Sequence, residues 1–131
     1  MIKISKQTDY ALQFLIELSK NKNGELLGLK MFSNQSNISF LFLQKIAKSL
    51  READLIISAK GKKGGYKLIK PISSINLKEV IEAVEGQYGV VNCTKSCHCE
   101  RSKICNLKNG LNKVNQQITQ YMESLKISDL H

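Results

Sequence analysis

Leu55-Ile56-Ile57-Ser58-Ala59-Lys60-Gly61-Lys62-Lys63-Gly64-Gly65-Tyr66-Lys67-Leu68-Ile69 sets two short β-prone runs on either side of a turn rich in glycine and lysine. Branched and aromatic residues predict the strands, and the glycines give the turn its backbone freedom. Five lysines fall between residues 60 and 70 with no acid among them. A nucleotide-binding phosphate cradle would open directly into a helix, whereas this turn opens into a strand, so that reading is set aside. What remains is a basic hairpin whose lysines suit phosphate contacts and whose glycines permit close approach to a groove.

The residues before the hairpin give it a context. From Ser5 to Ser19 the apolar residues Ala11, Phe14, Leu15 and Leu18 recur at helical spacing, until Asn21-Lys22-Asn23-Gly24 breaks the pattern. An apolar patch from Leu26 to Phe32 runs into the polar stretch Ser33-Asn34-Gln35-Ser36-Asn37, read as the end of a second short helix and a turn. Ser39 is placed to cap a third helix with Leu43, Ile46, Ala47 and Leu50 inward and Gln44, Lys45, Lys48 and Arg51 outward. Three helices followed by a basic hairpin make the order of a winged helix-turn-helix. In that arrangement the third helix enters the major groove by its first turns, bringing Ser39, Phe40, Leu41 and Gln44 nearest the bases. Gln44 is the best direct reader, because glutamine can pair with adenine through two hydrogen bonds. Phe40 and Leu41 would equally suit a core. Lys45, Lys48, Arg51, Lys60, Lys62, Lys63 and Gly64 complete the expected DNA surface.

Charge and length agree with this. The chain has 131 residues and a formal net charge of +9. Residues 1–70 carry 13 Lys and Arg against 5 Asp and Glu, while residues 71–131 carry 7 against 6, so the excess lies in the half with the hairpin. A basic half attracts polyanions, nucleic acid before membrane. The length fits one compact domain, divided here into a DNA-binding region (1–72) and a second region (73–131). The amino terminus has no apolar stretch that would serve as a signal peptide, and no run is suited to spanning a membrane. A cytoplasmic location is expected.

The second region opens with Asn76-Leu77-Lys78-Glu79-Val80-Ile81-Glu82-Ala83-Val84-Glu85-Gly86, a helix with a capping residue, a first-turn acid and a glycine stop. Four cysteines follow within thirteen residues, as Cys93, Cys97, Cys99 and Cys105, accompanied by His98 and by Lys95, Arg101 and Lys103. Crowded locally, they do not staple distant loops, and they are read as soft ligands in a reducing compartment. Thiolates suit iron–sulfur clusters and zinc almost equally. Structural zinc sites favour Cys-x2-Cys pairs, which are absent here, and zinc becomes the runner-up. Beyond the loop, Leu107, Leu111, Val114, Ile118, Tyr121 and Leu125 recur at alternating steps of four and three, a coiled-coil spacing. A homodimer paired through this helix is favoured over packing of the stripe on the chain's own first helix, since two-fold DNA sites need two readers.

Thr8-Asp9-Tyr10-Ala11-Leu12, the Ile38-Ser39 helix entry, the Lys60–Tyr66 turn, Asn76-Leu77 and Ser128-Asp129-Leu130 together resemble the Rrf2 family of bacterial regulators, whose iron–sulfur branches are the IscR-like and NsrR-like proteins. The resemblance covers almost the whole chain. It implies a winged-helix dimer on a palindromic double-stranded operator, with an iron–sulfur cluster responding to nitric oxide, redox state or iron–sulfur status. Cluster-binding members usually have three cysteines about five residues apart, which Cys93, Cys99 and Cys105 match with five residues in each gap. For the fourth ligand, IscR-like members place a histidine three residues after the last cysteine, where this chain has Lys108. NsrR-like members use a first-helix aspartate from the other subunit, matched by Asp9. Cys97 and His98 compete with Asp9 for that position, Cys97 with no role as its other reading, and a helix-capping or structural role is an equally good reading of Asp9. The missing histidine inclines the expectation towards a [4Fe–4S] over a [2Fe–2S] cluster.

Other classes are weaker. The basic setting would lower thiol pKa values in a cluster-free protein, so a thiol–disulfide sensor stays open. A structural zinc module that docks another protein is a further alternative. An enzyme using Cys99 or Cys105 as nucleophile would need a base, and neither His98 in the loop nor His131 at the terminus suggests a triad.

Overall fold

The computed structural model describes residues 4–21, 24–61, 63–89 and 100–130. Its elements, in chain order, are α1 (Lys6–Lys20), α2 (Leu29–Ser36), α3 (Phe40–Glu52), β1 (Ile56–Ala59), β2 (Gly65–Leu68), α4 (Leu77–Glu85) and α5 (Lys108–Ser124), with single 3₁₀ turns at Ile72–Ser74 and Ile127–Leu130. The architecture is mainly helical with one antiparallel hairpin, as the sequence predicts. None of the described helices is long and apolar enough to cross a membrane.

Local chemistry sets the boundaries. Ser5 caps α1, its hydroxyl accepting from the Thr8 amide at 3.2 Å, and Thr8 beneath it is fully buried. The polar stretch Ser33–Ser36 forms the end of α2 and Asn37 the turn, as the sequence predicts. Its hydroxyls turn back onto the main chain, Ser36 Oγ donating to the Phe32 carbonyl and Ser33 Oγ to that of Ile38, both at 2.6 Å. The turn into α3 runs through Asn37 at φ 59°, a conformation that asparagine tolerates better than most residues. Ser39 occupies the N-cap of α3 as expected, yet its side chain makes no capping hydrogen bond. At the other end Asp54 takes φ 58°, the Asp54 amide reaches the Arg51 carbonyl and the Leu55 amide reaches that of Leu50, each at 3.0 Å. This is a Schellman ending with aspartate in the usual glycine position, and it turns the chain straight into β1.

The hairpin pairs Ile56 with Leu68, Ile57 with Lys67, Ser58 with Tyr66 and Ala59 with Gly65. β2 also has a neighbour on its other side: Leu27 and Tyr66 exchange both backbone hydrogen bonds at 2.9 Å. Close backbone approaches, one of them from Leu27, explain the two glycines. A Cβ on Gly65 would lie 2.5 Å from the Leu27 carbonyl oxygen, and one on Gly64 would lie 2.4 Å from that of Ala59.

A single large core joins the head. Phe14 and Leu15 from α1, Leu43, Ala47 and Leu50 from α3, Ile56 from β1, Val80 from α4 and Ile75 and Ile127 around the 3₁₀ turns are all fully buried. Phe14 packs on Phe32 at 5.2 Å and edge-on to Tyr66 at 5.9 Å, tying α1 to α2 and the hairpin. The inward face predicted for α3 is the observed one.

A second cluster holds α5 to α4. Leu77, Ile81 and Met122 are buried there, with Leu12, Tyr88, Ile118 and Leu125 packed around them. Backbone bonds close the junction, from the Leu77 amide to the Leu125 carbonyl and from the Ile127 amide to the Ile75 carbonyl, both at 2.9 Å. The predicted apolar stripe of α5 therefore divides. Ile118 and Leu125 face this cluster, joined by Met122, which lies outside the four-and-three spacing. Leu107, Val114 and Tyr121 stand exposed, and Leu111 is half-buried.

α4 begins with a complete capping box. Asn76 Oδ1 accepts from the Glu79 amide and Glu79 Oε2 from the Asn76 amide, each at 2.9 Å. Glu79 Oε1 also accepts from Lys70 Nζ at 2.8 Å. Burial raises the carboxyl pKa, but the Lys70 ammonium and the Asn76 amide outweigh it, and the net position is below the ordinary carboxylate range.

Two predictions follow from these contacts. Gly65→Ala should lower unfolding stability in urea by about 1–3 kcal/mol, the usual range for overpacking. Because the Glu79 pKa is depressed on folding, its contribution to stability is present above the unfolded value of about 4.3 and is lost as pH falls through the folded value. Wild-type stability should thus decline more steeply than that of Glu79→Gln in urea titrations between about pH 5 and pH 3.

Candidate nucleic-acid interface and cysteine site

The outer face of α3 carries the predicted readers. Leu41, Gln44, Lys45, Lys48 and Arg51 are exposed, and Leu41 is 71% exposed despite being apolar. Steps of three and four put Leu41, Gln44, Lys45 and Lys48 on one side of the helix. Its rotation is held from both flanks of Leu41. Phe40 is half-buried beneath Lys30 Nζ, 5.2 Å from the ring centroid, and Phe42 meets Tyr10 edge-on at 5.5 Å. Phe40 and Leu41 were open to the same two roles in sequence, and the structure separates them: Phe40 packs against the core and Leu41 faces solvent. Ser39 is exposed at the head of the helix.

Arg51 Nη1 lies 3.5 Å from Ser58 Oγ, a long contact between the end of α3 and β1. In the wing, Lys60 and Lys63 are exposed, whereas Lys62 falls outside the described residues. Gly61 takes φ 116° and its carbonyl accepts from the Gly64 amide at 2.9 Å, closing the tip. Gly64 is half-buried in that closure. The hairpin lysines are not equivalent, since Lys70 is paired with Glu79 on α4. Lys30 is a further exposed cation at the head of α2, beside the start of α3. Its position next to the helix-turn-helix turn was the only sequence signal for it.

Of the proposed ligands, Cys93, Cys97, His98 and Cys99 lie outside the described residues. Cys105 is described: its thiol is free and half-buried, and the Ile104 and Cys105 amides both donate to the Arg101 carbonyl at 3.0 and 2.9 Å. This compact turn ends three residues before α5 begins. Among the described residues no three His, Cys, Asp or Glu side chains converge as a metal site. Asp9 is exposed in the first turn of α1 and accepts from Gln13 Nε2 at 3.1 Å. The cap of α1 belongs to Ser5, which corrects the capping reading of Asp9 and leaves its carboxylate facing outward. A free, partly shielded thiol and an outward carboxylate are donors of the kind an iron–sulfur or zinc centre takes.

Comparison with known proteins places these features. Residues 4–131 match the model of the Rrf2 family, described as iron-dependent transcriptional regulators. The HTH-type transcriptional regulator NsrR of Oceanobacillus iheyensis is 32% identical over 129 residues, covering 97% of this chain and 88% of that protein. NsrR of Bacillus licheniformis is 30% identical over 131 residues, covering 98% and 92%. Among solved structures, CymR, the global cysteine regulator of B. subtilis, superposes with a TM-score of 0.78 at 26% identity, covering 99% of this chain and 96% of that one. T. potens IscR shares the fold, with a TM-score of 0.73 at 22% identity over 98% and 85% of the two chains. With a family model matched over nearly its full length and a basic reading helix and wing in place, this chain belongs to the Rrf2 family, and it is a DNA-binding transcriptional regulator rather than an enzyme.

Proposed function

We propose that this regulator acts in the cytoplasm as a homodimer whose affinity for a palindromic operator is set by an iron–sulfur cluster in the 93–105 loop, with Cys93, Cys99 and Cys105 as ligands. The observation that carries the reading is Cys105, a free, half-buried thiol at the base of α5. Support comes from its spacing with the other two cysteines and from the NsrR relatives at about 30% identity. Residues 1–72 read DNA, and residues 73–131 hold the cluster and pair the subunits.

When bound, a cluster supplies a centre whose charge and grip on the loop respond to nitric oxide, oxidants or iron supply. The chain supplies the ligands, a lever and a joint. Cys105 sits at the amino-terminal end of α5, which spans 17 residues, or about 25 Å at 1.5 Å per residue. The other end is fastened to α4 through Leu77 and Leu125. A shift of the loop reaches the reading head along that path. Leu107, Val114 and Tyr121, exposed along α5, form the face offered to a second copy. Asp9, whose carboxylate is not spent on capping, is the favoured fourth ligand from that copy, ahead of Cys97 and His98. With Lys108 in the place of the IscR-type histidine, the four-iron form is favoured over the two-iron form.

Two experiments test this. Lys48→Ala and Lys63→Ala should each reduce the slope of log K against log salt for duplex binding by about 0.9, the loss of one phosphate contact. Lys70→Ala, which removes a cation already paired with Glu79, should leave that slope nearly unchanged. For the cluster, anaerobically purified protein should contain iron and sulfide in equal amounts, with DNA affinity altered by nitric oxide, and Cys105→Ser should lose iron and sulfide together. Stoichiometric zinc without sulfide would replace the cluster reading with the zinc one.

A further inference from the structure

Leu41 is the most exposed large apolar side chain of the reading head, and it stands among polar neighbours. The two phenylalanines beside it are half-buried, one under Lys30 and one against Tyr10. The helix is thus anchored on both sides of a leucine that it presents to solvent. Gln44, one turn on, is exposed on the same face, with Lys45 and Lys48 alongside.

We propose that Leu41 and Gln44 act as a pair that reads two adjacent A·T base pairs, Gln44 taking the adenine edge of one and Leu41 packing on the thymine 5-methyl group of the next. The chemistry of the major groove supports the division. Thymine is the one base that displays a methyl group there, and adenine alone offers the N6 donor beside the N7 acceptor that a glutamine amide matches twice. The spacing supports it too. Three residues advance about 4.5 Å along a helix, close to the roughly 3.4 Å between successive bases of a strand. A leucine side chain forms no hydrogen bonds, so its preference comes from contact with the methyl group that thymine alone displays, where the lysines add only phosphate attraction.

The inference rests on α3 being the reading helix, and its test separates the two claims. Duplexes are selected from a random pool with the anaerobically purified full-length chain, and each thymine of the selected half-site is then replaced by deoxyuridine, which removes the methyl group alone. One position per half-site should weaken binding by about fourfold, the equivalent of one buried methyl-sized group. Leu41→Ala, a surface change that leaves the core intact, should bind the thymine and deoxyuridine duplexes equally. Gln44→Ala should lose between about 5-fold and 150-fold of its preference for adenine at the neighbouring pair. Unchanged affinity at every deoxyuridine position, or undiminished methyl sensitivity in Leu41→Ala, overturns the pairing, while a salt slope that falls by about 0.9 in Lys48→Ala keeps α3 as the docking helix in either case. A salt slope unchanged in Lys48→Ala would overturn the docking helix and the pairing together.

Discussion

The burial of α4 on both of its sides is the constraint on which the rest depends. It is a nine-residue helix with Val80 in the core of the DNA-binding head and Leu77 and Ile81 in the cluster that holds α5. A helix that buries only one stripe can be moved without disturbing a second partner. α4 has no such freedom. Its capping box, its ion pair to Lys70 and the backbone bond from Leu77 to Leu125 fix its start, and its two apolar faces make α5 and α3 parts of one packed body.

That arrangement gives α5 two unlike ends. One end of α5 is fastened beside α4 by hydrogen bonds, apolar packing and the Lys78–Glu123 ion pair at 2.9 Å, and the other begins just after the turn holding Cys105. Packed interiors pass displacement on because they have little empty space to absorb it. The turn holding Cys105 is therefore joined through α5 and α4 to the head, whose half of the sequence carries most of the excess positive charge.

The head shows how a small number of contacts can aim a helix. Phe40 and Phe42 straddle Leu41 in sequence and are held by different partners, Lys30 on α2 and Tyr10 on α1. Together they settle which face of α3 is turned outward, leaving an apolar side chain next to a glutamine and two lysines. In the wing, Gly64 and Gly65 were legible as glycines of a tight basic turn, but their necessity comes from Ala59 and from Leu27, whose backbone comes within a Cβ's reach. Leu27 lies 38 residues before Gly65, beyond any local spacing rule.

Periodicity and capping chemistry alone determined the helices, the hairpin and the buried face of α3, because apolar spacing and turn residues act over a few neighbours. The signals at Asn76, Glu79 and Gly86 were sufficient for α4, and the cysteine spacing with the Lys60–Tyr66 turn was sufficient for the family resemblance. Tertiary structure decided what depends on partners distant in the chain. It divided the α5 stripe between a face buried on α4 and a face left open, brought Met122 into the junction, assigned the α1 cap to Ser5 instead of Asp9, withdrew Lys70 from the wing and separated Phe40 from Leu41. Each of these is a competition between solvent and a surface supplied from elsewhere in the chain, and only the assembled fold supplies that surface.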